Sequence, residues 1–206
     1  MKSKSPATAA YKSALSILML VVSLFISQSL FAQTTFTSRS ATSEIKVNGT
    51  SNLHDWSMKG TDYVCFAQFT MQSAAAGLVS INGLSLSIPV KSLKSGENLL
   101  DTRAYKAMNA EKYTHVNFKM TSSTVTSQGG NKYLIKATGQ LTISGVAKEV
   151  TLTANGVLNA DRSLSVSGSQ KIKMSDFGIK PPSFMMGALK TGDNLTIDFN
   201  IKFNGN

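Results

Sequence analysis

Tyr133–Gly156, YLIKATGQLTISGVAKEVTLTANG, alternates apolar and polar residues on both sides of a two-residue turn. Tyr133, Ile135, Ala137, Gly139, Leu141 and Ile143 share one register. Ser144-Gly145 reverses the chain, and Val150, Leu152, Ala154 and Gly156 continue the pattern. A period of two sends successive side chains to opposite faces, so one face meets an apolar interior and the other meets water. Downstream, Asn159–Arg162 turns the chain into Leu164, Val166, Gly168, Gln170, Ile172 and Met174. The final stretch carries Leu195, Ile197, Phe199, Ile201 and Phe203. Upstream, Gln128-Gly129-Gly130-Asn131 is a turn signal, preceded by Val116, Phe118 and Met120 in alternation. Ser43–Thr50, Thr61–Gln72 and Leu78–Val90 read the same way.

About seven or eight such strands joined by short turns predict an all-β fold, an antiparallel barrel or sandwich. The last strand is long and apolar on one face, an aggregation hazard if left open, which favours a closed barrel. Ala137, Gly139, Ala154, Gly156 and Gly168 are small and lie on the inward register. A cavity and a sharp bend both call for small side chains there, and periodicity does not choose between them. The sheet pattern is interrupted by Leu99–Met108, with Leu99, Leu100, Arg103, Tyr105, Ala107 and Met108 at roughly helical spacing and Asp101 and Thr102 placed to cap its start. So short a helix must pack on the sheet or cover a mouth as a lid.

The 206 residues suffice for one sizeable core, and 42% apolar against 16% charged residues describes a globular chain. Lys2, Lys4 and Lys12 precede the apolar run Ala14–Phe31, and Ala32 suits the position before a cut. Residues 1–32 therefore read as a cleaved secretory signal peptide, and residues 33–206 as the exported domain. The leader carries three of the ten net positive charges. The other basic residues are scattered, and neither zinc-finger spacing nor an aromatic RNA-binding box points to nucleic acid. Cys65 is the only cysteine, which excludes an internal disulfide and reads as a buried thiol.

The chain contains His54 and His115. His54 precedes Asp55, but neighbours in an extended strand point to opposite faces, which makes a poor base–carboxylate pair. No G-x-S-x-G elbow occurs, and no histidine or cysteine spacing suits a metal. His115 is expected to face solvent or pair locally. Trp56, the sole tryptophan, is either core or a ligand wall. Met174–Leu189, MSDFGIKPPSFMMGAL, surrounds Pro181-Pro182 with methionine and phenylalanine. Such a segment serves as an adaptable wall for an apolar chain or as a plug in the barrel end.

Asp101–Phe118 (DTRAYKAMNAEKYTHVNF), Thr138–Leu152 (TGQLTISGVAKEVTL) and Met174–Ile179 (MSDFGI) resemble the motifs of the YceI-like family of lipid-binding proteins. Glu111-Lys112-Tyr113, Leu141-Thr142-Ile143, Gly145-Val146, Lys148, Val150 and Ser175-Asp176-Phe177-Gly178 match. The resemblance runs from Ser43 to Phe203. Thr114 stands where proline is usual, Met108-Asn109-Ala110 replaces an aromatic pair, and the opening GTSNLHDW marks a divergent subgroup. The resemblance implies a lipocalin-like antiparallel barrel that holds an isoprenoid or other long-chain lipid, without a cofactor and without catalysis. It also implies export to the periplasm, and it makes a homodimer and transient membrane contact plausible. Candidate ligand contacts are Trp56, Met108, Phe118, Phe177, Phe184 and Met185 for the tail, with Arg103 and Tyr105, beside Lys106, for a polar head. The competing readings are an envelope interaction module with a filled barrel, and a hydrolase or isomerase using His54.

Overall fold

A computed structural model describes residues 31–39, 43–72 and 77–205. The expected leader, 1–32, lies outside the described residues up to residue 30. The strands are β1 (Phe31–Arg39), β2 (Glu44–Ser51), β3 (Trp56–Gly60), β4 (Val64–Gln72), β5 (Gly77–Pro89) and β6 (Leu93–Lys94). After α1 (Asn98–Ala107) follow β7 (His115–Ser127), β8 (Lys132–Ile143), β9 (Val146–Leu158), β10 (Leu164–Lys173), β11 (Ser183–Phe184) and β12 (Leu189–Gly205).

The strands lie in the order β1-β4-β5-β7-β8-β9-β10-β12-β2-β3-β6, antiparallel in every pair from β4 to β6. β1 also pairs with β12, at Phe36↔Gly205 and Thr37↔Asn204, so the path from β1 to β12 returns on itself. The fold is an antiparallel β-barrel with one short helix. β2 pairs with β12 from Asn200↔Glu44 to Thr191↔Ser51, so β1 and β2 run one after the other along the same edge. Both edges of the apolar final strand are thereby occupied, as its composition demands.

The β8–β9 hairpin shows how local chemistry fixes register. Ser144 and Gly145 both take positive φ, 50° and 79°. Two such residues make the tight turn whose twist matches the strands it joins. Ile143 then pairs with Val146, and the register holds back to Lys132↔Val157. Tyr133, Ile135, Ala137, Leu141 and Ile143 all face inward and are buried.

The interior has two parts. One end is solid: Tyr63, Cys65, Phe69, Leu78, Tyr133 and Phe203 pack in one cluster, with Phe69 edge-on to Phe203 at 5.5 Å. Burial alone pushes the Cys65 thiol up to about 12, the inert thiol expected from its register. The second cluster holds Phe118, Leu141, Ile143, Ile172, Met174 and Phe177.

The small inward residues serve close packing. A Cβ on Gly156 would meet Ile135 Cδ1 at 2.8 Å, and one on Gly168 would meet Phe199 Cζ at 2.5 Å and the Thr153 carbonyl at 2.7 Å. One on Gly139 would strike the Lys119 carbonyl and Met120 Cα. Large neighbours and crossing backbone fill the space these glycines leave.

The helix cap differs from expectation. Glu97 is the N-cap residue, and Asp101 sits one turn inside, buried. Its Oδ1 accepts from Ser95 N at 2.8 Å and Ser95 Oγ at 2.7 Å, while Lys94 Nζ lies 3.7 Å from Oδ2. Asp101 thus ties α1 back to the strand before it instead of capping it. Thr102 Oγ1 donates to the Asn98 carbonyl at 2.8 Å.

Candidate functional site

A cavity of about 240 Å³ opens at the α1 end of the barrel. Ile88, Val116, Ile143, Ile172, Leu195 and Ile197 supply its strand walls. Leu100, Arg103, Ala104 and Ala107 of α1 and its C-cap Met108 roof one side, and Phe177, Ile179, Pro182 and Phe184 roof another. Ser51, Leu53, His54 and Trp56, at the β2–β3 turn, form the third side. Tyr63, Phe69, Leu78, Tyr133 and Phe203 of the first cluster are not among the lining residues.

Three local devices hold these walls. Arg103 lies over the Phe184 ring, its guanidinium carbon 3.8 Å from the centroid, and clasps α1 to the 174–189 segment. A cation on an aromatic face gains from the ring quadrupole while leaving the guanidinium donors available. Among the described residues the ion pairs are Lys59–Glu44, Lys91–Glu111, Lys94–Asp101 and Lys202–Asp161, so neither Arg103 nor Lys190 at the rim is in one.

The second device is the Ser175-Asp176-Phe177-Gly178 turn. Ser175 N and Oγ donate to the two Asp193 carboxylate oxygens at 2.8 and 2.6 Å, and these bonds hold the Asp193 carboxyl below the ordinary aspartate value. The turn drops Phe177 into the interior, where it is buried.

The third device is the GTSNLHDW loop. Ser51 Oγ donates to the His54 carbonyl at 2.7 Å and accepts from the backbone N–H of Leu53 and of His54. Asn52 bonds to the start of the neighbouring strand β12: its Nδ2 donates to the Ala188 carbonyl at 2.6 Å, and its Oδ1 accepts from Lys190 N at 2.9 Å. Trp56 pairs with Gly49 across β2–β3 and donates from Nε1 to the Thr50 carbonyl at 3.1 Å. A Cβ on Gly49 would collide with the indole, so the missing side chain is what seats Trp56 at the mouth.

Of the sequence candidates, Trp56, Arg103, Met108, Phe177 and Phe184 line the cavity. Three stand elsewhere. Tyr105 points off the lid, with its Oη donating to the carbonyls of Lys91 at 3.0 Å and Leu93 at 2.6 Å; it anchors α1 to the sheet. Phe118 is buried in the second cluster, against the strand crossing at Gly139. Met185 lies on the outer surface of the rim. Lys106 is exposed on α1 and does not line the cavity.

His54 is exposed, and its Nδ1 donates to the Asp55 backbone carbonyl at 2.8 Å, not to the Asp55 carboxylate. Both residues lie in the loop between β2 and β3, not in the extended strand that the sequence argument assumed. His115 is also exposed, beside Thr114 Oγ1 at 2.9 Å. Sequence reading missed Leu53, Lys190 and the wall residues Ile88, Leu195 and Ile197. The last three were legible as inward-facing, but alternation does not tell which end of a barrel is hollow.

The sequence profile of the YceI-like domain family matches residues 32–203. No curated protein matches the chain. Among solved structures, BcnA of Burkholderia cenocepacia is similar at 21% identity and TM-score 0.62, covering 78% of this chain and 95% of its own. A polyisoprenoid binding domain from Saccharophagus degradans, implicated in plant cell wall breakdown, is similar at 13% identity and TM-score 0.61, over 85% of this chain and 100% of that one. A Campylobacter jejuni YceI protein is similar at 22% identity and TM-score 0.50, over 69% and 81%. At these identities the likeness is one of fold.

Proposed function

The chain belongs to the YceI-like domain family, and on that premise we propose that it is an exported, periplasmic binding or carrier protein for a long apolar amphiphile of isoprenoid type. The observation that carries this reading is the apolar cavity under two roofing segments. Its wall is aliphatic and aromatic, and its charged residues, Glu97, Arg103 and Lys190, stand at the rim. That layout suits a molecule with an apolar tail and a polar end. The Saccharophagus domain, described as polyisoprenoid-binding, supports the same class of ligand.

Magnitudes restrict the ligand further. Each buried methylene contributes about 0.8 kcal/mol, so ten carbons give roughly 8 kcal/mol. Association costs roughly 4–15 kcal/mol in lost freedom. A short tail therefore barely offsets the cost, and useful affinity requires a longer chain or a headgroup contact.

A filled interaction module predicts a solid interior throughout, and the solid half of the barrel is only one end. Native mass spectrometry of the protein purified from cells tests the carrier reading. The expected spectrum shows a co-purified lipid, or uptake of an added prenyl alcohol or isoprenoid quinone at one per chain. A spectrum of bare protein under every such condition would defeat the reading.

A further inference from the structure

We propose that the rim of the cavity is a docking surface for an anionic lipid bilayer. The apolar tail then passes between membrane and lumen without crossing water, a step that rests on the carrier reading above.

The large exposed apolar residues among the described residues fall into two places. Val64, Phe66 and Val79 lie on β4 and β5. Leu53 (68% exposed), Leu99 (62%), Met185 (74%) and Met186 (109%) lie on the three segments that border the cavity mouth. Isolated exposed aliphatic residues are ordinary. Four of them on three separate segments around one opening make a collar, and contiguous apolar surface marks a partner site.

Backbone geometry holds the collar outward. Met185 and Met186 both take positive φ, 51° and 58°, in a tight turn closed by Gly187 at 94°. Non-glycine residues in that region are strained. Packing cannot be the return for that strain, because both side chains face water. The Ser51–His54 turn presents Leu53 in the same way, and Leu99 projects from the first turn of α1.

Charge selects the partner. Ile179–Lys190 carries Lys180 and Lys190 and no acidic residue. Both lysines are exposed, and a Cβ on Gly187 would touch Lys190 Cε at 3.6 Å, so the lysine stem lies along the methionine turn. Arg103 of α1 adds a third cation at the mouth, against Glu97 in the lining and the exposed Asp176 of the roofing segment. Flexible aliphatic tips flanked by lysines suit acyl chains beneath anionic headgroups. Protein hot spots are enriched in tryptophan and tyrosine, and the four outermost residues of this collar include neither.

The test is co-sedimentation of the purified protein with phosphatidylcholine vesicles, with and without phosphatidylglycerol. Uptake of geranylgeraniol in the absence of vesicles is read in parallel from the emission of Trp56, the only tryptophan. Wild type is expected to bind the phosphatidylglycerol vesicles. The double variant Met185→Ser, Met186→Ser is expected to bind them at least about tenfold more weakly while taking up geranylgeraniol as wild type does. Leu53→Ser serves as an independent variant of the same collar. Both methionines are exposed, so an unchanged thermal midpoint is expected. Failure of wild type to sediment with anionic vesicles, or equal sedimentation of wild type and both variants, overturns the docking surface. If geranylgeraniol is still taken up in that case, the carrier reading stands. Vesicle binding without geranylgeraniol uptake supports the docking surface and overturns the transfer step.

Discussion

Gly49 and Trp56 show how much of the mouth depends on single side chains. The indole occupies the volume that any larger residue at 49 would fill. Gly49→Val is expected to expel Trp56, shift its emission to the red and cost about 1–3 kcal/mol by overpacking; emission spectra and denaturant titration check both effects. Arg103 stands on the Phe184 face without an ion pair among the described residues. Arg103→Ala removes an attraction of about 0.5–1 kcal/mol. A loss of that size corresponds to tail release about two- to fivefold faster, read by stopped-flow displacement. Asp193 gives a pH signature. Its carboxyl is held below the ordinary value by the Ser175 bonds, so the folded state favours the charged form. Its contribution to stability is complete above about pH 4 and is lost as pH falls through the depressed folded value. Thermal midpoints of Asp193→Asn should therefore decline less steeply with acid than those of wild type.

At the scale of elements, polar ties add to the apolar packing that seats α1 and the 174–189 segment on the core. Asp101 is 5% exposed and accepts two bonds from Ser95. Asp101→Ala leaves the Ser95 N–H without its acceptor and should cost about 1–3 kcal/mol in denaturant unfolding. The Leu99–Met108 spacing identified the helix correctly, within one residue at each end. It did not identify the cap, because the bonding partner of Asp101 precedes it and the helix begins earlier than the aspartate suggests. Tyr105 illustrates the same limit. Its helical position is legible, but whether its hydroxyl reaches a headgroup or the Lys91 and Leu93 carbonyls depends on how the helix sits on β6. The Met174–Leu189 composition leaned to a plug and left a ligand wall open. The structure divides the segment: Phe177 and Phe184 turn inward, and Met185 and Met186 turn out.

At the scale of the molecule, the barrel holds a packed cluster around Phe69 and Phe203 and a cavity beside α1. Phe69→Ala, in the solid end, should cost about 3–5 kcal/mol and leave tail affinity little changed. Ile197→Phe, in the cavity wall, should leave the thermal midpoint nearly unaltered and abolish tail uptake by filling the space; calorimetry and native mass spectrometry separate the two. By itself the sequence determined the strands, their inward faces, the hairpin at Ser144-Gly145 and the single helix. Each of these follows from local periodicity and turn chemistry, which need no distant partner. Only the tertiary structure decided that the inward glycines admit neighbouring side chains and backbone rather than a ligand. It alone decided which end stays open, and that Leu53, Leu99, Met185 and Met186 meet around one mouth. Those outcomes depend on which strands lie side by side in the closed barrel, and a period of two carries no record of that.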